Sequence, residues 1–128
     1  MTFLKNDLEQ YKQTLRLSAQ YFLNFNMVET AWEKLKESNF PREQRDKFWQ
    51  LCIEGRRCFW EWTTAERKLN PRYSAPPTVP CYKRAVMLLE HEERWETAID
   101  ICKDALQWID STWYSEKIKK FEKKKGAT

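Results

Sequence analysis

The sequence predicts an all-α protein in which antiparallel helical hairpins stack as a short array, closed by a lysine-rich C-terminal capping helix. Three observations lead there. The chain's three Thr-Ala pairs, Thr30-Ala31, Thr64-Ala65 and Thr97-Ala98, recur at steps of 34 and 33 residues. A period of that size marks stacked hairpins, because one hairpin cannot bury its apolar face alone. The chain has only two glycines in 128 residues and is rich in Glu, Lys, Leu, Arg and Gln, which favours helix over sheet. Seven Trp, seven Phe and five Tyr supply the large buried areas from which a thin two-layer array draws stability.

The elements follow in order within a single domain, 1–128. Leu8, Tyr11, Leu15, Ala19 and Phe22 fall at helical spacing and predict a first helix over about 7–24. Asn24-Phe25-Asn26 predicts a turn. A second helix then covers 28–38, with Ala31, Trp32 and Leu35 inward, and Asn39-Phe40-Pro41 ends it. The first hairpin is therefore expected at 7–38.

Residues 42–69 are helix-forming throughout. Phe48, Leu51, Cys52, Gly55, Phe59, Trp62 and Leu69 share one face, with Trp49, Ile53 and Trp60 in a second stripe beside it. Asp46, Gln50, Glu54, Arg57 and Glu61 are left as a polar strip. The repeat register asks for a turn near 58–61, yet no breaker is there, so one long helix and a tight hairpin both fit. Four prolines make 70–80 a stiff loop. A hairpin over 80–109 follows. Tyr82, Ala85, Val86 and Leu89 face inward from its first helix, and Ala98, Ile99, Cys102, Ala105, Leu106 and Ile109 from its second. Asp110-Ser111 breaks and recaps the chain before a final helix at 112–125.

Charge is concentrated at one end. The net charge is +4, and Lys117, Lys119, Lys120, Lys123, Lys124 and Lys125 stand against a single Glu122 in the same span. These lysines are candidate contacts for an anionic partner, nucleic acid or anionic lipid. The competing reading is a polar cap that keeps the end of the array soluble.

Catalysis and metal binding find no support. The single histidine, His91, lacks the partners of a metal site or catalytic triad, and Cys52, Cys58, Cys81 and Cys102 form no C-x-x-C pair. Phosphate loops, dinucleotide fingerprints and nucleophile elbows are missing. No cofactor and no metal are expected. Arg56-Arg57 before Cys58 is a pattern that lowers a thiol pKa, although a structural cysteine is the plainer reading. With no leader-like start and no apolar run of transmembrane length, reduced thiols in the cytoplasm are expected.

Residues 82–109 resemble a tetratricopeptide (TPR) hairpin. Ala98 and Ala105 stand at that family's two small positions and Trp95 at its aromatic one. Leu15, Trp49 and Tyr82 stand where the first helices carry a large residue, and Pro77 matches the inter-repeat proline. Glu93 replaces the glycine common in the family's intra-repeat turn.

The resemblance implies a concave groove lined by the first helix of each hairpin. By register its residues are Gln13, Arg16, Gln20 and Asn24, then Lys47, Gln50, Glu54 and Arg57, then Lys83, Met87, Glu90 and His91. It implies binding of another protein or peptide, as an adaptor, inhibitor or assembly factor. The basic groups in the groove suit an acidic peptide. The other function class is a nucleic-acid-associated protein acting through the lysine-rich helix. Trp60, Trp108 and Trp113 are candidates for a partner or dimer surface.

Overall fold

The computed structural model describes residues 2–127, with side chains from Asn6 onward. The described residues form five helices and no strand: α1 (Thr2–Glu37), α2 (Arg42–Leu69), α3 (Pro80–His91), α4 (Trp95–Leu106) and α5 (Thr112–Gly126). α1 and α2 make one long antiparallel hairpin and α3 and α4 a short one. α3 lies against both α1 and α2, and α5 closes over α4. The array holds two hairpins and a terminal helix rather than three hairpins.

The expected turn at Asn24-Phe25-Asn26 does not form, and α1 runs through it. No glycine or proline interrupts 2–37, and asparagine costs a helix only a fraction of a kcal/mol, about 0.7 at most. Against that cost, Tyr21, Asn24, Val28, Trp32 and Leu35 form one buried stripe across the expected break. This stripe, and not Leu8, Tyr11, Leu15, Ala19 and Phe22, faces the core. The latter five are all exposed.

α2 is likewise one helix through 58–61. Its expected main face is buried at Phe48, Cys52, Gly55, Phe59 and Trp62, while the second stripe stays open at Ile53 and Trp60. Of the three Thr-Ala pairs only the last sits at a tight helix crossing, with Ala98 fully buried and Ala31 and Ala65 half-buried.

Backbone chemistry closes the two tight turns in the same way. After α1, the Phe40 N–H donates to the Leu35 carbonyl (2.9 Å) and the Asn39 N–H to the Lys36 carbonyl (3.2 Å). After α3, the Arg94 N–H donates to Leu89 (2.9 Å) and the Glu93 N–H to Glu90 (3.1 Å). These are Schellman motifs, which require a left-handed residue just past the helix. Asn39 (φ 59) and Glu93 (φ 57) supply it. Ser111 caps α5, its hydroxyl accepting from the Trp113 N–H at 3.3 Å.

Two side-chain clusters fill the interior. One gathers Tyr21, Phe59, Trp62 and Tyr82 with the apolar faces of α4 and α5. The other gathers Val28, Trp32, Phe48 and Leu88. Between them α1, α2 and α3 approach closely at Gly55. A Cβ there would collide with the Asn24 side chain and lie 2.6 Å from the Cys81 Cβ.

Two stability predictions follow. Gly55→Ala gains about 1 kcal/mol of helix propensity but overpacks a three-helix contact that cannot yield. A net loss of about 1–3 kcal/mol is expected in denaturant unfolding, with Gly126→Ala, which meets nothing within 4 Å, as the tolerant control. Glu93→Gly relieves a left-handed non-glycine residue on an exposed turn. It should raise stability by about 1 kcal/mol, read as a higher denaturation midpoint at unchanged slope.

Candidate protein-binding site

Two long antiparallel helices touching along one line leave a furrow on either side of it. On the open side of the α1–α2 contact, Gln20, Leu23, Asn24 and Met27 face Leu51, Glu54, Arg57 and Cys58 around a cavity of about 280 Å³. A second cavity of about 340 Å³ continues along the furrow, lined by Asn26, Met27, Thr30, Ala31, Lys34 and Leu51. Met27 and Leu51 border both, so the two form one trough. Its floor is apolar, with Leu23 64% and Met27 47% exposed.

Charges sit at the ends of this trough. Arg57 is held by Glu54 and, at 2.7 Å, by Glu61. Glu54 is consequently held below the usual carboxylate range by its hydrogen bond from Arg57. Burial pushes the Cys58 thiol above its ordinary pKa, outweighing the neighbouring Arg57. Cys58 is thus not activated by Arg56-Arg57, in line with its reading as a structural cysteine. Burial likewise raises Cys52 and Cys102 to about 12, and all four cysteines are free and buried.

The structure brings together four residues of the expected groove: Gln20, Asn24, Glu54 and Arg57. Asn24 plays a different part from that expected. It is 6% exposed, and its amide donates to the Leu51 carbonyl at 3.0 Å, which ties α1 to α2. Arg16 and Gln50 are exposed away from the trough, and Gln13 lines a separate cavity with Trp60 and Lys68. Lys47 is exposed and pairs with Glu43 at 3.5 Å.

The α3 set does not line a groove at all. Glu90 accepts from Lys117 (2.8 Å) and Lys120 (2.5 Å) of α5. Lys83 lies over the Trp113 ring, and His91 stacks on Phe40 with ring centroids 4.0 Å apart. Met87 is half-buried beside Arg84.

Leu23, Met27, Ala31, Lys34 and Leu51 were outside the expected groove. Residues 23, 27, 30, 31 and 34 share a face only on an uninterrupted helix, so a break at 24–26 hides them. No family model matches the chain, and no curated protein or solved structure matches it.

The lysine-rich end is also partly engaged. Besides Lys117 and Lys120, Lys125 lies 3.9 Å from Glu96. Lys119, Lys123 and Lys124 are exposed. Trp113 is flanked by Lys83 and Lys117, and Trp108 packs between Trp60 and Arg67. No described helix is long and apolar enough to cross a membrane.

The α3 contacts carry a pH dependence. Arg84 donates to both Glu29 oxygens, at 2.8 and 3.0 Å, and holds that carboxyl below its usual pKa. A lowered folded-state pKa stabilises the fold above the unfolded value and loses its effect as pH falls through the folded one. Glu29→Gln should therefore cost about 1 kcal/mol at pH 7. The cost should shrink as pH falls through the lowered folded-state value, where denaturation curves of both proteins should draw together.

Proposed function

We propose that this chain is a protein-binding helical-repeat module, an adaptor, inhibitor or assembly factor, whose binding site is the trough between α1 and α2. The observation that supports it best is the apolar floor of exposed Leu23 and Met27 with half-buried Leu51, bounded by polar groups from both helices. An open apolar furrow of this shape accepts the apolar face of a partner helix, read through anchors spaced at helical intervals. Methionine adapts its shape to more than one anchor. Arg57 and Lys47 are both taken up by ion pairs within α2, so the recognition offered here is mainly apolar rather than selective for acidic peptides. The α3–α4 hairpin supports the likeness to TPR arrays, with Ala98 and Ala105 fully buried at the crossing.

A second reading rests on Lys119 and Lys123, which lie one turn apart on an exposed face of α5, next to Lys120. They supply a charge-driven contact for an anionic polymer such as a nucleic acid.

One experiment separates the two. A displayed library of helical peptides is panned against the protein, and the recovered peptides are mapped by chemical-shift changes at the Met27 methyl group. Binding should fall more than tenfold in Met27→Glu and hold in Lys119→Ala/Lys123→Ala. Peptides that bind Met27→Glu as well as the parent chain would defeat the trough reading. Salt-sensitive retention of a single-stranded oligonucleotide, lost in the double lysine variant, would favour α5.

A further inference from the structure

The furrow that holds the trough does not end with it. A cavity of about 490 Å³ lies further along the hairpin, with Gln10, Gln13 and Leu17 of α1 facing Trp60, Thr64 and Ala65 of α2. The same seven-residue ladders line it and the trough. On α1 one ladder runs Gln13, Gln20, Met27, Lys34, and on α2 another runs Leu51, Cys58, Ala65. Arg57 of the trough also donates to Glu61 of this cavity at 2.7 Å, so the α2 wall is continuous between them. From Lys34 to Gln10 the furrow covers 24 residues of α1, about 36 Å at the rise of an α-helix.

The fold itself shows what fills a furrow between these two helices. α3 packs against both α1 and α2. Glu29 and Trp32 hold its Arg84 from a side of α1 turned about 150° away from Met27, so α3 occupies the opposite furrow. Backbone chemistry favours a helix on the open side too. Both walls are helical and offer no free peptide N–H or C=O in mid-helix. An extended segment would lose water from its own backbone groups there and gain no partner for them. A helix satisfies those groups internally.

The lining changes along the furrow. At Leu23, Met27 and Leu51 it is apolar. At the other end the α2 ladder has shrunk to Ala65 and the space is wider. There Gln10, Gln13 and Thr64 surround the ring of Trp60, which is 51% exposed. An aromatic side chain with a polar tip matches that end, its ring against Trp60 and its N–H or O–H among the glutamine amides. Gln13 stands two ladder steps from Met27.

We infer that the furrow takes one amphipathic partner helix of about seven turns. An aliphatic anchor of that helix sits at Met27 and Leu51, and a Tyr or Trp about fourteen residues along it sits at Trp60 and Ala65. This rests on the trough as the binding site and extends that site along the hairpin.

A displayed library of helical peptides of about 28 residues, panned against the full chain, tests it. The recovered peptides should pair an aliphatic residue with Tyr or Trp at that separation and shift the methyl signals of both Met27 and Ala65. Ala65→Leu fills the wide end and Trp60→Ala removes its platform. Each should keep the parent's circular dichroism and weaken the peptides roughly tenfold or more. A synthetic half-peptide with the aliphatic anchor alone should bind both variants as it binds the parent, and should not bind Met27→Glu. Peptides that shift Met27 alone, or bind Ala65→Leu and Trp60→Ala undiminished, would overturn the inference and leave the trough reading standing. Peptides indifferent to Met27→Glu, or a library that yields none, would overturn both.

Discussion

The close approach at Gly55 is the contact on which the rest of the fold depends. There α2 lies near enough to α1 for the Asn24 amide to reach the Leu51 carbonyl, and near enough to α3 for Cys81 to fill the remaining space. Small side chains continue along the same line at Cys52 and Ala85, both fully buried. Large residues on either side then interlock, with Tyr21, Phe59 and Tyr82 in one cluster and Trp32, Phe48 and Leu88 in the other. A wider crossing would separate both clusters together, because interiors are packed too densely to take up the difference locally.

α3 is the hub of this arrangement, and charge fixes its seat. Glu29 of α1 binds Arg84, and Arg45 of α2 binds Glu92 just past the C-terminus of α3 at 2.5 Å. Lys117 and Lys120 of α5 bind Glu90. Each pair joins residues far apart in sequence, and all but the exposed Lys120 contact are partly shielded from solvent, where ion pairs count for more than at an open surface. The same pairing removes these side chains from any ligand. Polar residues at helical spacing on α3 are a docking pattern for α1 and α5, so a groove could not be assembled along that helix.

The second half of the fold was legible because its signals are local. The prolines of 70–80, the buried periodicity of α3 and α4 and the Ser111 cap are all read within a few residues of where they act. Glu93 takes the positive φ just past α3 that glycine more often fills in such a turn. The first half misled because α1 has two apolar stripes. The stripes from Leu8 to Phe22 and from Tyr21 to Leu35 have the same spacing, and the core takes the second. Periodicity shows that a face is apolar, but the choice between two such faces is made by what α2 offers opposite. That depends on Gly55, and on a helix that continues through Asn24. The trough was missed for the same reason, whereas the polar Gln50–Glu54–Arg57 strip of the uninterrupted α2 is exposed as expected, with Glu54 and Arg57 on the trough and Gln50 away from it.

A helix with two apolar stripes has more apolar surface than one core can absorb, and the surplus on α1 falls into two shapes. At Leu23 and Met27 it forms the wall of a furrow, because Leu51 stands opposite across the helix pair. Around Leu15 nothing stands opposite, and the surface is convex. A concave furrow takes in a single narrow segment. Such a segment would bring apolar area out of water at about 25 cal/mol per Å² before the costs of association. With a modest area at the trough, the proposed contact there would form and break readily.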